Sequence, residues 1–318
     1  MDSRTEGLHD LLQLQLLNKS PKTEMKNRHN LIAAAALLCV NVVAALTACS
    51  DIDENERMVP VSTRVVVDSI PQPVEVDSLW DAPIEPVESR VLIEDHTGQK
   101  CPNCPDAARL IHTFQLSYGD RIVPVAIHSQ MQGIMEPEGL GNELGNTYYK
   151  YWKMEYKPAG LVNRLDGGDG RVLDKTIWDF AVTYALSMET PLDIRVKARQ
   201  QDDDPTKAEV DVKVICTREG QSASGKLQVW ITEDGIIAEQ DDMGKHIADY
   251  EHNHVLRAAV NGDWGEPVSV SGLGDAREFS YTAKLKPEWK AENLSIVAFV
   301  YNDDGVVQVV SRKLKVND

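Results

Sequence analysis

The first patterned feature of the chain is an apolar run from Leu31 to Leu46, broken only by Asn41. It is shorter than the ~20 residues a membrane-spanning helix needs. Pro60, Pro71, Pro73, Pro83 and Pro86 then punctuate residues 50–88, which predicts an extended spacer with room for a short strand at Thr63 to Val67. From Arg90 the pattern becomes regular. Val91-Leu92-Ile93 predicts a buried strand, and His96 to Lys100 a polar loop. Pro105 suits the first turn of a helix, and Ala107, Leu110, Ile111, Phe114 and Tyr118 follow at helical spacing. Ile122 to Ile127 predicts the next strand, so this stretch is a βαβ unit. Residues 129–157 look like an insertion broken by glycines. A short strand at Gly160–Arg164 and a Gly-rich turn at 166–170 follow. Lys175 to Met188 then predicts a helix with Ile177, Phe180, Ala181 and Tyr184 facing inward.

Beyond Pro191 the period becomes two. Leu192/Ile194/Val196/Ala198, Val210/Val212/Val214/Cys216 and Leu227/Val229/Ile231 alternate, as do Phe279/Tyr281/Ala283/Leu285 and Leu294/Ile296/Ala298/Val300. Asn302–Gly305 joins the last of these to Val306–Val316 as a hairpin. About seven short strands of this kind predict an antiparallel β-sandwich. Four segments follow: a signal region at 1–48, a tether at 49–88, an α/β domain at 89–189 and an all-β domain at 190–318. The change of period places a separable boundary near residues 188–191.

The N-terminal run has Lys26, Arg28 and His29 before it and Leu46-Thr47-Ala48-Cys49 after it, with a natural-looking start at Met25. A basic segment, an apolar segment and a small-residue site make a secretory signal. The last four residues resemble a bacterial lipobox, in which Cys49 becomes the lipidated first residue of an acyl-anchored protein. Ser50 to Glu54 is an acidic run. It is either a solvated tether or, by resemblance, the surface-export signal of Bacteroidetes lipoproteins, which implies a protein facing the cell exterior.

Charge narrows the partners. The 318 residues carry 33 Lys+Arg against 50 Asp+Glu, a formal charge of -17. That balance argues against nucleic acid and against a polybasic membrane-surface binder. Five cysteines are too few for a disulfide scaffold of this length.

Cys101-Pro102-Asn103-Cys104 is the main chemical signal, between a strand and the first turn of a helix. A helix N-terminus lowers a thiol pKa, and two intervening residues let the second cysteine resolve a mixed disulfide. The first cysteine should attack and the second resolve, with Lys100 adding a positive neighbour and Cys104 the less exposed of the two. A structural disulfide, a redox fold that has lost its activity and half of a zinc site also fit a CxxC, although no second CxxC follows. Pro158 precedes a strand some fifty residues later, where thioredoxin-like folds place a cis-proline that faces the active-site disulfide. Lys157 would then offer its backbone to a substrate chain.

The segments Leu92–Pro105, Lys157–Arg164 and His252–Arg257 resemble the signature of the outer membrane protein 28-related lipoproteins of Bacteroidetes. The resemblance runs from about Cys49 to the C-terminus. It implies a thioredoxin-like domain followed by an immunoglobulin-like β-sandwich, lipid-anchored at the outer membrane, and it leaves the reaction open. His96 departs from the aromatic often found there and reads as a loop residue. His252 and His254 read as residues on one strand face rather than a metal pair. Asp166 and Asp169 read as turn residues rather than Ca²⁺ ligands, and Cys216 as a buried inert thiol. No metal and no cofactor is expected.

Two functions remain. One is a thiol–disulfide oxidoreductase acting on exported or surface proteins through Cys101 and Cys104. The other is a surface binding module in which the disulfide is a staple. A Cys101 exposed in a groove beside Pro158 fits the first, and a buried disulfide fits the second.

Overall fold

The computed structural model describes residues 79–316. The signal segment with Met25, the lipidation candidate Cys49 and the tether up to residue 78 lie outside the described residues. Among the described residues the fold is rich in β-sheet and has three α-helices.

The first half runs β1 (Val91–Thr97), α1 (Cys104–Tyr118), β2 (Ile122–His128), α2 (Glu143–Tyr151), β3 (Ala159–Val162), β4 (Leu173–Asp174) and α3 (Trp178–Ser187). β1 pairs parallel with β2 on one side and antiparallel with β3 on the other, and β3 pairs antiparallel with β4. All seven residues of β1 are buried. Both faces of this strand are covered, so polar residues continue it without the usual alternation. His96 therefore belongs to a strand, not to a loop. The helical spacing in α1 places Ala107, Ile111 and Phe114 inward, as expected. In α3 a 3₁₀ turn at Lys175–Ile177 shifts the phase: Ala181 is buried as expected, but Trp178, Val182 and Ala185 share its face in place of Ile177, Phe180 and Tyr184.

The second half contains β5 (Leu192–Gln200), β6 (Lys207–Cys216), β7 (Ser222–Glu233), β8 (Ile236–Asp242), β9 (Lys245–His252) and β10 (Val255–Ala259). It ends with β11 (Glu266–Ser271), β12 (Ala276–Lys284), β13 (Leu294–Asn302) and β14 (Gly305–Lys313). The sheet β12-β6-β5 packs on β7, β11, β13 and β14 through the alternating faces named above. Leu192, Val212, Cys216, Leu227, Ile296 and Val310 share that core. β8 and β9 form a separate two-stranded hairpin.

The boundary near residue 190 is crossed by one continuous sheet. Its order is β14-β13-β7-β10-β2-β1-β3-β4, with β11 added on β7. The join is narrow, because β10 meets β2 in parallel at Val255↔Ala126, with Ala126 N–H donating to His254 O at 2.8 Å. Side chains reinforce it. The Gln308 amide accepts from Arg90 N–H and donates to Glu88 O and Leu192 O. Asn163 accepts from Leu92 N–H through its side chain and from Val306 N–H through its carbonyl. A shared core of Leu92, Val125, Tyr148, Trp230, Phe299 and Val309 lies across the same line. The end of the expected tether is also docked. Arg195 donates to the carbonyls of Trp80, Ala82 and Pro83, and Lys197 and Lys213 lie over the Trp80 ring.

Candidate functional site

β1 delivers the chain to the loop 98–103, and α1 opens at Cys104 with Pro105 in its first turn. Proline costs nothing there because its missing N–H has no partner inside the helix. Cys101 and Cys104 are joined as a disulfide, with Cα atoms 5.4 Å apart. Gly98 lets the neighbouring loop close on this turn. A Cβ at that position would lie 2.3 Å from Gln132 O, and Lys100 N–H donates to the same carbonyl. The Lys157–Pro158 bond is cis and leads directly into β3, the neighbour of β1.

Both sulfur-bearing residues are buried, Cys101 at 0% exposure and Cys104 at 1%. The difference in exposure expected between them is therefore absent. The cover is the β8–β9 hairpin. Asp241 N–H donates to Gln99 O at 2.8 Å and Met243 N–H to Pro102 O at 2.9 Å. The Gln240 amide donates to Cys101 O at 3.1 Å and Gly98 O at 3.3 Å, and Gln99 donates back to Glu239 O. Two ion pairs flank these bonds, Lys100 with Glu239 and Arg109 with Asp242. Lys100 is thus committed to Glu239 in this state, and that bond raises the pKa of its ammonium.

At the C-terminal end of β1 lies a buried polar cluster that sequence reasoning did not identify as a unit. Lys157 Nζ donates to Thr97 O, to Ser129 Oγ at 2.9 Å and to Met131 O at 2.6 Å, so its side chain ties β1 to the loop after β2. Burial draws the Lys157 ammonium down to about 7 against the opposing pull of Asp95. Burial pushes the Asp95 carboxyl up to about 7, with Lys157 opposing, and Asp95 Oδ1 has no hydrogen-bond partner. These two groups can each take or release a proton near neutral pH. Burial, helped by the charges of Lys157 and Arg164, lowers His96 to about 3, and burial lowers His252 to about 4. His128 shifts well below its ordinary value for the same reason, with His252 and nearby cations adding to it. All three imidazoles are neutral at pH 7.

Cys101 and Cys104 are joined at the start of α1, while Lys157, which precedes the cis bond to Pro158, is tied to the end of β1, the strand that also carries Asp95. The polar signal for Asp95 was a charged triplet, Glu94-Asp95-His96, running on from an apolar strand without a turn residue. The two C-terminal histidines do not share a strand face. His252 ends β9 and packs edge-on against His128, whereas His254 sits in the following turn at φ 58° beside Asp234. Among the described residues no group of three or more His, Cys, Asp or Glu side chains is placed to hold a metal ion. Cys216 is buried in the sandwich core as a free thiol, as expected.

HBP35 of Porphyromonas gingivalis superposes with a TM-score of 0.55 at 13% identity, covering 72% of this chain and 76% of that one; the likeness is one of fold. A domain of the outer membrane lipoprotein Omp28 from the same organism is 28% identical, with a TM-score of 0.29, over 41% of this chain and 92% of that one. No curated protein matches the chain. The family model described as outer membrane protein Omp28 matches residues 145–318, from α2 through the whole second half. The CxxC lies upstream of that stretch. The match takes in more than half of the residues, and the outer-membrane location expected from the sequence is the family's own: the chain belongs to the outer membrane protein Omp28 family.

Proposed function

We propose that this protein is an outer-membrane lipoprotein, acylated at Cys49, that carries out thiol–disulfide exchange on exported or surface proteins through Cys101 and Cys104. Residues 89–189 act as a thioredoxin-like unit. The strand order β2-β1-β3-β4 and the helix opening at Cys104 support that reading. The following β-sandwich is read as immunoglobulin-like from its two antiparallel layers.

The observation that carries the proposal is the Cys101–Cys104 disulfide at the start of α1, where the free N–H groups of the first turn favour a thiolate. When a substrate thiolate attacks Cys101 Sγ, the S–S bond breaks and Cys104 leaves as a thiolate that must gain a proton. In the reverse direction a proton must leave. The helix N-terminus favours the thiolate during the interval. The hairpin over the sulfurs fits this reading because polar contacts hold it, and water or a substrate chain can replace those contacts.

The binding-module reading keeps one observation in its favour, the burial of both sulfurs. Two measurements separate the readings. Cys104→Ser should accumulate mixed disulfides with exported proteins, and Cys101→Ser few or none. The reduction potential of the pair should lie above about −300 mV, the range below which structural disulfides fall. Absence of trapping together with a lower potential selects the binding module.

A further inference from the structure

We infer that the β8–β9 hairpin holds the place of an extended, acidic polypeptide segment, and that this is the partner chemistry the Cys101–Cys104 region accepts; the inference rests on the exchange reading above. β8 contacts the CxxC loop as a bound strand does. Asp241 N–H, near the end of β8, donates to Gln99 O, and Met243 N–H, in the turn that follows, donates to Pro102 O. An incoming extended chain can offer main-chain donors to the same carbonyls. The acidic residues of this segment meet the basic residues beside the disulfide. Glu239 pairs with Lys100, and Asp242 pairs with Arg109 at 3.1 Å. Lys100 and Arg109 are both cations in a chain of formal charge -17, and they flank the CxxC on either side.

The hairpin is also built to be displaced. β8 and β9 pair only with each other, and a lone two-stranded hairpin has little stability of its own. Most of β9 is exposed. Only its end is held, where Tyr250 and His252 pack together and His252 meets His128. The far end is the turn Met243-Gly244, with φ of 46° and 84°, whose one bond to the CxxC loop is that from Met243 N–H to Pro102 O. A two-residue turn of this kind suits Asn or Gly at both positions. Here the first is a methionine, 65% exposed, set above Pro102. Turn chemistry does not call for that residue, whereas an apolar contact for an incoming chain does.

Displacement can be followed in the full chain with tris(hydroxypropyl)phosphine, an uncharged reductant whose approach the acidic hairpin does not repel. Its phosphorus lone pair attacks Cys101 Sγ, the S–S bond breaks, and Cys104 leaves as a thiolate and takes a proton. Water then hydrolyses the P–S bond, which gives the Cys101 thiol and the phosphine oxide; phosphorus supplies the two electrons. In the triple variant Glu239→Ala/Gln240→Ala/Asp242→Ala the rate should rise at least tenfold while the thermal transition stays cooperative. A peptide centred on Glu-Gln-Asp-Asp-Met should return that rate toward the wild-type value, and the same peptide with Gln and Asn for its acids should not. Wild-type protein should react faster as NaCl rises from 0.05 to 1 M, because the ion pairs are solvent-facing and become screened. A folded triple variant that reacts at the wild-type rate, with no salt effect in the wild type, overturns the displaceable hairpin. Equal protection by both peptides, or by neither, overturns the acidic partner. Rapid reduction of the variant without trapping of proteins by Cys104→Ser sinks the exchange reading alone.

Discussion

Arg164 and Glu94 form a buried ion pair of the first half that rings of the second half enclose, and breaking it should destabilise both together. The guanidinium donates to Glu94 through Nε at 2.6 Å and Nη2 at 3.1 Å, and the side chains are 3% and 1% exposed. Around it stand Trp152 of the first half and Trp230, Phe299 and Tyr301 of the second, with ring centroids 4.4–5.8 Å from the guanidinium carbon. Replacing Glu94 by Gln leaves a buried cation without its counter-charge, a loss of about 3–5 kcal/mol. For a folded region of this size each kcal/mol moves Tm by about 2–4 °C, so the expected drop is ~6–20 °C. Arg164→Met should cost a similar amount, because it leaves the buried Glu94 carboxylate without its partner. The double variant Glu94→Gln/Arg164→Met should be more stable than the sum of the single losses predicts, since neither charge is left alone. Calorimetric melting of the four proteins gives the coupling directly. A Glu94→Gln loss below about 1 kcal/mol, or losses additive within about 0.5 kcal/mol, would refute the reasoning.

Asp95 makes a pH-dependent contribution whose sign is fixed by its raised pKa. Between about 4 and 7 the folded protein holds this proton and the unfolded chain does not, so the stability it contributes at low pH is lost as pH rises. Lys157 is depressed instead, and its contribution is lost as pH falls from 10.5 toward 7, which places a trough near neutrality. The Tm of Asp95→Asn minus that of wild type should therefore grow from pH 4 to 7, and a constant difference contradicts the assignment. The fragment 89–189 should fail to melt cooperatively alone, because the core it shares with Trp230, Phe299 and Val309 is removed; a cooperative transition in calorimetry shows the halves to be independent. Cys49→Ala should release the protein from the membrane fraction, and retention there rules out that anchor. Cys216 should resist a water-soluble alkylating reagent in the native, reduced protein, while unfolding in denaturant should make it reactive.

Much of the fold was legible because it is written in short-range periods. The strand–CxxC–helix–strand unit and the alternating faces of β5, β6, β7, β12 and β13 need only local pattern to be seen. The buried charges of β1 were not legible for the opposite reason. Glu94 is tolerable inside because Arg164, seventy residues away, pairs with it, and Asp95 because burial favours its protonated form. No local period records such a debt. The β8–β9 hairpin escaped notice because it does not enter a core: it rests a polar edge on the CxxC loop, so no face of it alternates cleanly. The boundary near residue 190 was visible as a change of period. The sheet that crosses it was not, since its join rests on one residue pair and on the side chains of Gln308 and Asn163.

That join changes what the two functional readings mean. An enzyme domain beside an independent binding domain would let either one be lost without harm to the other. Here the second half supplies the hairpin that buries the disulfide, the strand that extends the first half's sheet and the rings that enclose Arg164. A contact made by a partner on the second half can therefore reach the sulfurs through one element, by drawing β8 away from Gln99 and Pro102. Lys100 would lose Glu239 at the same moment and regain a free charge one residue from Cys101, where it favours a thiolate. On the exchange reading proposed above, binding and exchange would be successive uses of the same surface, because whatever takes the place of the hairpin would also lie nearest the disulfide it uncovers.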